Sequence, residues 1–153
     1  MNDEPELASK KILVVDNESD ITFTLQSILE DNGFIVDIYT DPVLALRNFQ
    51  ANSYDLILLD IKMPNMDGFE LYNKMKEIDS RAKICFLTAS EMFYEDLRKA
   101  RFELDESLGE RYFIQKPITT KELLRRINAM IQSNSHNKCL DINNHKDQVE
   151  REK

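Results

Sequence analysis

The chain has 153 residues and a formal net charge of −8, with 31% of its residues charged and 42% hydrophobic. That is one domain's worth of chain, long enough to bury a core and too short for a second catalytic or DNA-binding domain. The negative balance, with no Lys/Arg cluster, zinc spacing, signal peptide or membrane-length apolar run, argues for a cytoplasmic protein with protein or small phosphorylated partners, not nucleic acid or membrane.

Residues 1–9 are short, acidic and aperiodic and read as a flexible lead-in. Lys11 to Val15 is a first strand ending on Asp16, and Asn17, Glu18 and Ser19 follow as turn and cap residues. Ile21, Leu25 and Ile28 recur at helical spacing up to Gly33, a natural stop. Phe34 to Tyr39 alternates as an outer strand does. Asp41 and Pro42 then supply an N-cap and first-turn proline for a second helix carrying Ala45, Leu46 and Phe49. Leu56 to Leu59 is apolar throughout, too short for a helix, and reads as a central strand buried on both faces that stops on Asp60. Pro64 and Gly68 break the following loop, and Asp67 caps a third helix in which Leu71, Met75 and Ile78 share a face.

Lys83 to Leu87 is a fourth buried strand, ending on Thr88. A fourth helix begins near Ser90 with Phe93, Leu97, Ala100 and Leu104 on one side. Arg111 to Gln115 is a short fifth strand ending on Lys116 and Pro117, and Thr119 caps a last helix with Leu123, Ile127, Met130 and Ile131 facing inward. From Ser133 the composition turns polar, so 134–153 is expected to be a disordered tail. Cys85 lies in an apolar run and Cys139 in the tail, which argues against a disulfide or a metal site built on them.

Strands alternating with helices predict an α/β fold, a (βα)5 doubly wound parallel five-stranded sheet of order 2-1-3-4-5. In that order Asp16, Asn17, Asp60, Thr88 and Lys116 fall along one sheet edge, at and beside the switch point. Each has a plainer reading alone: a cap, a turn residue, a strand-end hydroxyl, a solvated charge. Together they suit phosphoryl transfer onto a carboxylate. Acids and an amide oxygen can hold a hard Mg²⁺, a hydroxyl and a cation can bind phosphoryl oxygens, and one carboxylate can attack in line.

Four segments then resemble a known family, the receiver domains of response regulators, with the CheY-like, flavodoxin-like fold. They are Val14 to Glu18, Leu58 to Gly68, Phe86 to Ala89 and Ile114 to Pro117, and the resemblance covers residues 10–133. It implies that Asp60 is the phosphoacceptor for a sensor histidine kinase or histidine phosphotransfer protein. It further implies that Asp16, Asn17, Asp60 and the backbone carbonyl of Lys62 hold Mg²⁺, and that Thr88 and Lys116 bind the phosphoryl group. Thr88 and Phe113 would be the switch residues, and Lys116-Pro117 a cis peptide. The implied protein is not a turnover enzyme, although it catalyses its own phosphorylation and dephosphorylation. It would be a stand-alone response regulator in a two-component phosphorelay, a monomer or phosphorylation-dependent dimer that binds a downstream protein target or relays phosphate through the face of its fourth helix, fifth strand and fifth helix.

Two features depart from the family pattern. Asn17 stands where a second acid is usual, which predicts weaker Mg²⁺ binding and keeps open an atypical receiver that acts as a phosphorylation-independent binding module. Thr88 and Lys116 are 116 − 88 = 28 positions apart, more than a helical turn beyond the usual spacing, so the fourth helix or its exit loop is extended. Met92 and Tyr94 lie off the core stripe beside it. Lys62 and Ser90 occupy positions that tune phosphoryl lifetime in receivers. A haloacid-dehalogenase-type hydrolase would also place an Asp after a strand. It wants a second Asp two positions later, where this chain has Lys62.

Overall fold

The computed structural model describes residues 10–133. The expected lead-in and tail, with Cys139, lie outside them. The strands are β1 (Lys11–Val15), β2 (Ile35–Tyr39), β3 (Leu56–Asp60), β4 (Ile84–Ala89) and β5 (Phe113–Lys116). The helices are α1 (Ser19–Asp31), α2 (Pro42–Arg47), α3 (Gly68–Ile78), α4 (Phe93–Glu103) and α5 (Thr120–Gln132). All strand pairs are parallel, in the order β2-β1-β3-β4-β5. The doubly wound order read from the sequence is therefore the order of the fold.

The period-two geometry of a strand divides the core into two layers. Leu13, Val15, Ile57, Leu59, Phe86 and Phe113 point to one face, where α2, α3 and α4 cover them. Ile12, Val14, Leu56, Leu58, Cys85, Leu87 and Ile114 point to the other, under α1 and α5. Side chains on both faces of the central strands are thus removed from water, which is why those strands carry no polar alternation. Cys85 is wholly buried, and burial pushes its thiol up to about 12, as expected of a core residue.

Three helix caps act where they were read, while at the start of α1 the Glu18 side chain makes no capping hydrogen bond. Asp41, Asp67 and Thr119 cap α2, α3 and α5 by accepting backbone N–H bonds from Val43 (2.9 Å), Glu70 (2.9 Å) and Glu122 (3.2 Å). Gly33 closes α1 with φ of 93°, a conformation costly for any residue with a Cβ. α2 ends at Arg47, so Phe49, read as part of it, is buried just beyond its end, and two further details differ from the sequence reading. Ile78 is 45% exposed, because Phe69 and Tyr72 pack on Phe86 at 5.3 and 5.5 Å and turn the buried stripe of α3 towards themselves. β5 begins at Phe113, since residues 110–112 form a 3₁₀ turn. Residues 104–112 connect α4 to β5, and Leu108 pins that connection to the core at 6% exposure.

Candidate functional site at the carboxyl edge of the sheet

The parallel register puts Val15 beside Leu59, Asp60 beside Leu87, and Ala89 beside Lys116. The residues at and just past these strand ends therefore share one edge. Lys116 reaches across from β5 and bridges the two acids. Its Nζ lies 3.2 Å from Asp16 Oδ2 and 3.2 Å from Asp60 Oδ1, with Glu18 further out at 4.0 Å. Asp16 is fully buried and its second oxygen accepts the Glu18 backbone N–H at 2.9 Å. Ser90 Oγ donates to the Lys116 carbonyl at 3.0 Å, tying the end of β4 to the end of β5. The Lys116–Pro117 peptide that follows is cis.

Asn17 faces the same carboxylate from the other side. Oriented so that its hydrogen bonds are satisfied, its amide nitrogen donates to Asp60 Oδ2 at 3.1 Å and to the Lys62 carbonyl at 3.2 Å. Asn17 is therefore not just a turn residue, and the Lys62 carbonyl points into the site. Gly68 lets this loop close: a Cβ there would meet the Asp60 carbonyl oxygen and lie 2.9 Å from Ile61 Cα.

Burial raises the Asp60 carboxyl from 3.8 to about 6, with the Asp16 charge adding to the rise and Lys116 opposing it. For Lys116, burial works to lower the ammonium's pKa. The Asp16 and Asp60 carboxylates outweigh it and hold the pKa above 10.5, so the cation persists at neutral pH. The site is a crowded pair of acids held by one shared cation, and it would be relieved by a second positive charge.

The donor set suits a hard cation. Rotating the Asn17 amide by a half-turn would set its oxygen against Asp60 Oδ2 and the Lys62 carbonyl, three oxygens converging on one place, with Asp16 nearby. Among the described residues no three His, Cys, Asp or Glu side chains gather as a metal site, so the charge offered here is that of two carboxylates. That fits Mg²⁺, with fewer formal charges than a three-acid site has.

Thr88 is 1% exposed, and its hydroxyl donates to Asp96 Oδ2 at 2.5 Å. Asp96, on α4, was missed in the sequence. The signal was its spacing: it falls three after Phe93 and four before Ala100, on the buried stripe, and is 4% exposed. Phe113 is 1% exposed and packs on Phe86 at 5.3 Å and Phe93 at 6.2 Å. Tyr94 is 72% exposed beside Phe93, their rings 4.8 Å apart.

A parallel α/β sheet with acids, an amide, a hydroxyl and a lysine at its switch-point edge defines a CheY-like receiver. The family described as "Response regulator receiver domain" matches residues 12–128, and the chain belongs to that family. The response regulator ArlR of Staphylococcus saprophyticus is 31% identical over 132 residues, 86% of this chain and 57% of ArlR. The non-phosphorylated HemR receiver domain from Leptospira biflexa is 30% identical with a TM-score of 0.69, covering 82% of this chain and 97% of that one. The response regulator TrrA from Thermotoga maritima, in complex with Mg(2+)-BeF, is 29% identical with a TM-score of 0.63, covering 79% and 98%. The chain spans about half the length of the curated relatives it matches.

Proposed function

We propose that Asp60 accepts a phosphoryl group from a sensor histidine kinase or histidine phosphotransfer protein. The observation that carries this reading is the convergence on Asp60: Lys116 at one carboxylate oxygen, Asn17 at the other, and Asp16 and the Lys62 carbonyl beside them. An Asp60 oxygen attacks phosphorus in line, the P–N bond to the donor imidazole breaks, and an acyl phosphate forms. Lys116, already poised on Asp60, neutralises one phosphoryl oxygen, and Thr88 donates to another. Asp16, Asp60, the Lys62 carbonyl and, with its amide turned, the Asn17 oxygen would hold Mg²⁺, which when bound would neutralise charge gathered around the acceptor.

Output follows through the α4–β5–α5 face, where Phe113 packs against the first turn of α4. The partner is a protein, met as a monomer or as a phosphorylation-dependent dimer, in the cytoplasm. No described helix is long and apolar enough to cross a membrane. Stand-alone action is the finer part of this proposal, since DltR of Streptococcus agalactiae, 34% identical, is a transcriptional regulatory protein of which this chain spans 53%. Asn17 favours one second reading, a receiver that binds its partner without phosphorylation.

Intact-protein mass after incubation with acetyl phosphate and Mg²⁺ tests the proposal, beside Asp60→Asn and an EDTA control. One phosphoryl adduct that is lost in both controls is expected. No adduct in the wild type, with one appearing in Asn17→Asp, would refute phosphorylation and leave the binding module.

A further inference from the structure

We propose that Asp96 is a resting-state latch for Thr88: a buried carboxylate on α4 that holds the hydroxyl which the phosphoryl group on Asp60 must recruit. The inference rests on the phosphoacceptor reading above. A threonine hydroxyl has one proton and can donate one full hydrogen bond. Here that proton goes to Asp96 Oδ2 at 2.5 Å, in preference to the Ala89 carbonyl at 3.2 Å. Both partners are buried, at 1% and 4% exposure, so water offers neither a cheap substitute. A bond between a hydroxyl and a carboxylate is among the stronger kinds available inside a protein. Thr88 is therefore committed elsewhere until phosphorylation competes for it.

The competition has a structural consequence. When Thr88 donates to the phosphoryl group, Asp96 is left as a buried acceptor without its donor, an unfavourable state unless the carboxylate moves. It has somewhere to go. Asp96 lines a cavity of about 340 Å³ together with Lys62, Asp67 and Lys99. Lys99 lies one turn along the helix from Asp96, with its ammonium over the Phe69 ring at 6.0 Å. Asp96 also sits in the first turn of α4, next to Phe93 and Tyr94. Releasing it loosens the turn that packs on Phe113 and carries the exposed Tyr94. Asp96 is thus a positioning residue that couples the hydroxyl at the site to the first turn of the output helix.

Two measurements on the full chain test this. The first is proton NMR of the resting protein without phosphoryl donor. A Thr88 hydroxyl resonance, shifted downfield and slow to exchange with water, is expected in the wild type and absent from Asp96→Ala and Thr88→Val. Its absence from the wild type would overturn the latch. The second is the apparent affinity for beryllium fluoride with Mg²⁺, measured for the wild type, Asp96→Asn, Asp96→Ala, Thr88→Ala and the Asp96→Ala/Thr88→Ala double variant. Removing the carboxylate is expected to tighten the apparent affinity about tenfold, the size of one charge-assisted hydrogen bond, with Asp96→Asn intermediate. The gain should vanish in the Thr88→Ala background. An unchanged or weaker affinity in folded Asp96 variants, or an equal gain without Thr88, would overturn the proposal. Failure of the wild type to bind beryllium fluoride any better than Asp60→Asn would overturn the phosphoacceptor reading itself, and the latch with it.

Discussion

The crowding of acids around Asp60 has a measurable cost to folding. The perturbation is Asp60→Asn, studied in EDTA so that no divalent cation compensates. In the folded chain the Asp60 carboxyl is raised from 3.8 to about 6, first by burial and then by Asp16. The folded state therefore binds more protons than the unfolded state between about pH 4 and pH 6. Stability falls as pH rises through that window, and the cost is fully present above it. Two pKa units correspond to about 3 kcal/mol at most. Asp60 is only 6% exposed, but it shares Lys116 with Asp16 and the two acids divide the cost between them, which reduces this to about 1.5 kcal/mol. The amide introduced by Asp60→Asn would keep an acceptor for Lys116 while removing the charge. Asp60→Asn should thus be more stable than the wild type at pH 7.5, by about 5 °C in melting temperature for a domain of this size. The advantage should shrink towards pH 4, and thermal melts at four pH values would read it. A variant no more stable at pH 7.5, or one whose advantage is flat from pH 4 to 7.5, would refute the electrostatic account of the site.

Asn17→Asp should tighten Mg²⁺ by about tenfold, because the site would gain a formal charge at a proposed ligand position. Isothermal titration would show it, and no change would mean that position 17 does not touch the metal. Gly68→Ala forces a Cβ against the Asp60 carbonyl oxygen and to 2.9 Å from Ile61 Cα. It should cost about 3 kcal/mol in urea unfolding and displace the loop bearing the Lys62 carbonyl. Leu108→Ala should cost about 2 to 3 kcal/mol in the same assay, since Leu108 anchors the loop from α4 to β5 in the core. A cost below about 0.5 kcal/mol would return that loop to the class of tolerated surface insertions.

How much of this was legible depended on whether the chemistry sat at an element's end. Asp16, Asp60, Thr88 and Lys116 each follow or end an apolar strand, and in a parallel sheet the order of strands converts those ends into neighbours. Asp96 was hidden for the opposite reason. It lies among Glu91, Glu95 and Arg98, where an acid reads as a solvated helix face, and only its place on the Phe93–Ala100 stripe marks it as buried. Ile78 erred the other way, because helical spacing cannot foresee that the Phe69 and Tyr72 rings draw α3 around Phe86. The exit loop of α4 was read as excess length, but which of its residues enters the core is decided by packing that spacing does not encode.

Asn17 and Asp96 each hold a group of the site by a hydrogen bond. The Asn17 amide places a donor between Asp60 Oδ2 and the Lys62 carbonyl, where a cation would otherwise satisfy both. The Asp96 carboxylate places an acceptor at Thr88, where a phosphoryl oxygen would otherwise satisfy it. Both are hydrogen bonds within the site, and among the described residues no buried side-chain polar atom is without a partner. If Asp60 is phosphorylated as proposed, activation would be an exchange of partners, with a cation taking the place of the Asn17 amide proton and the phosphoryl group taking the Thr88 hydroxyl from Asp96. Since an unsatisfied buried group costs more than a satisfied one gains, the buried Thr88–Asp96 pair would hold its present arrangement until a phosphoryl oxygen competes for the hydroxyl.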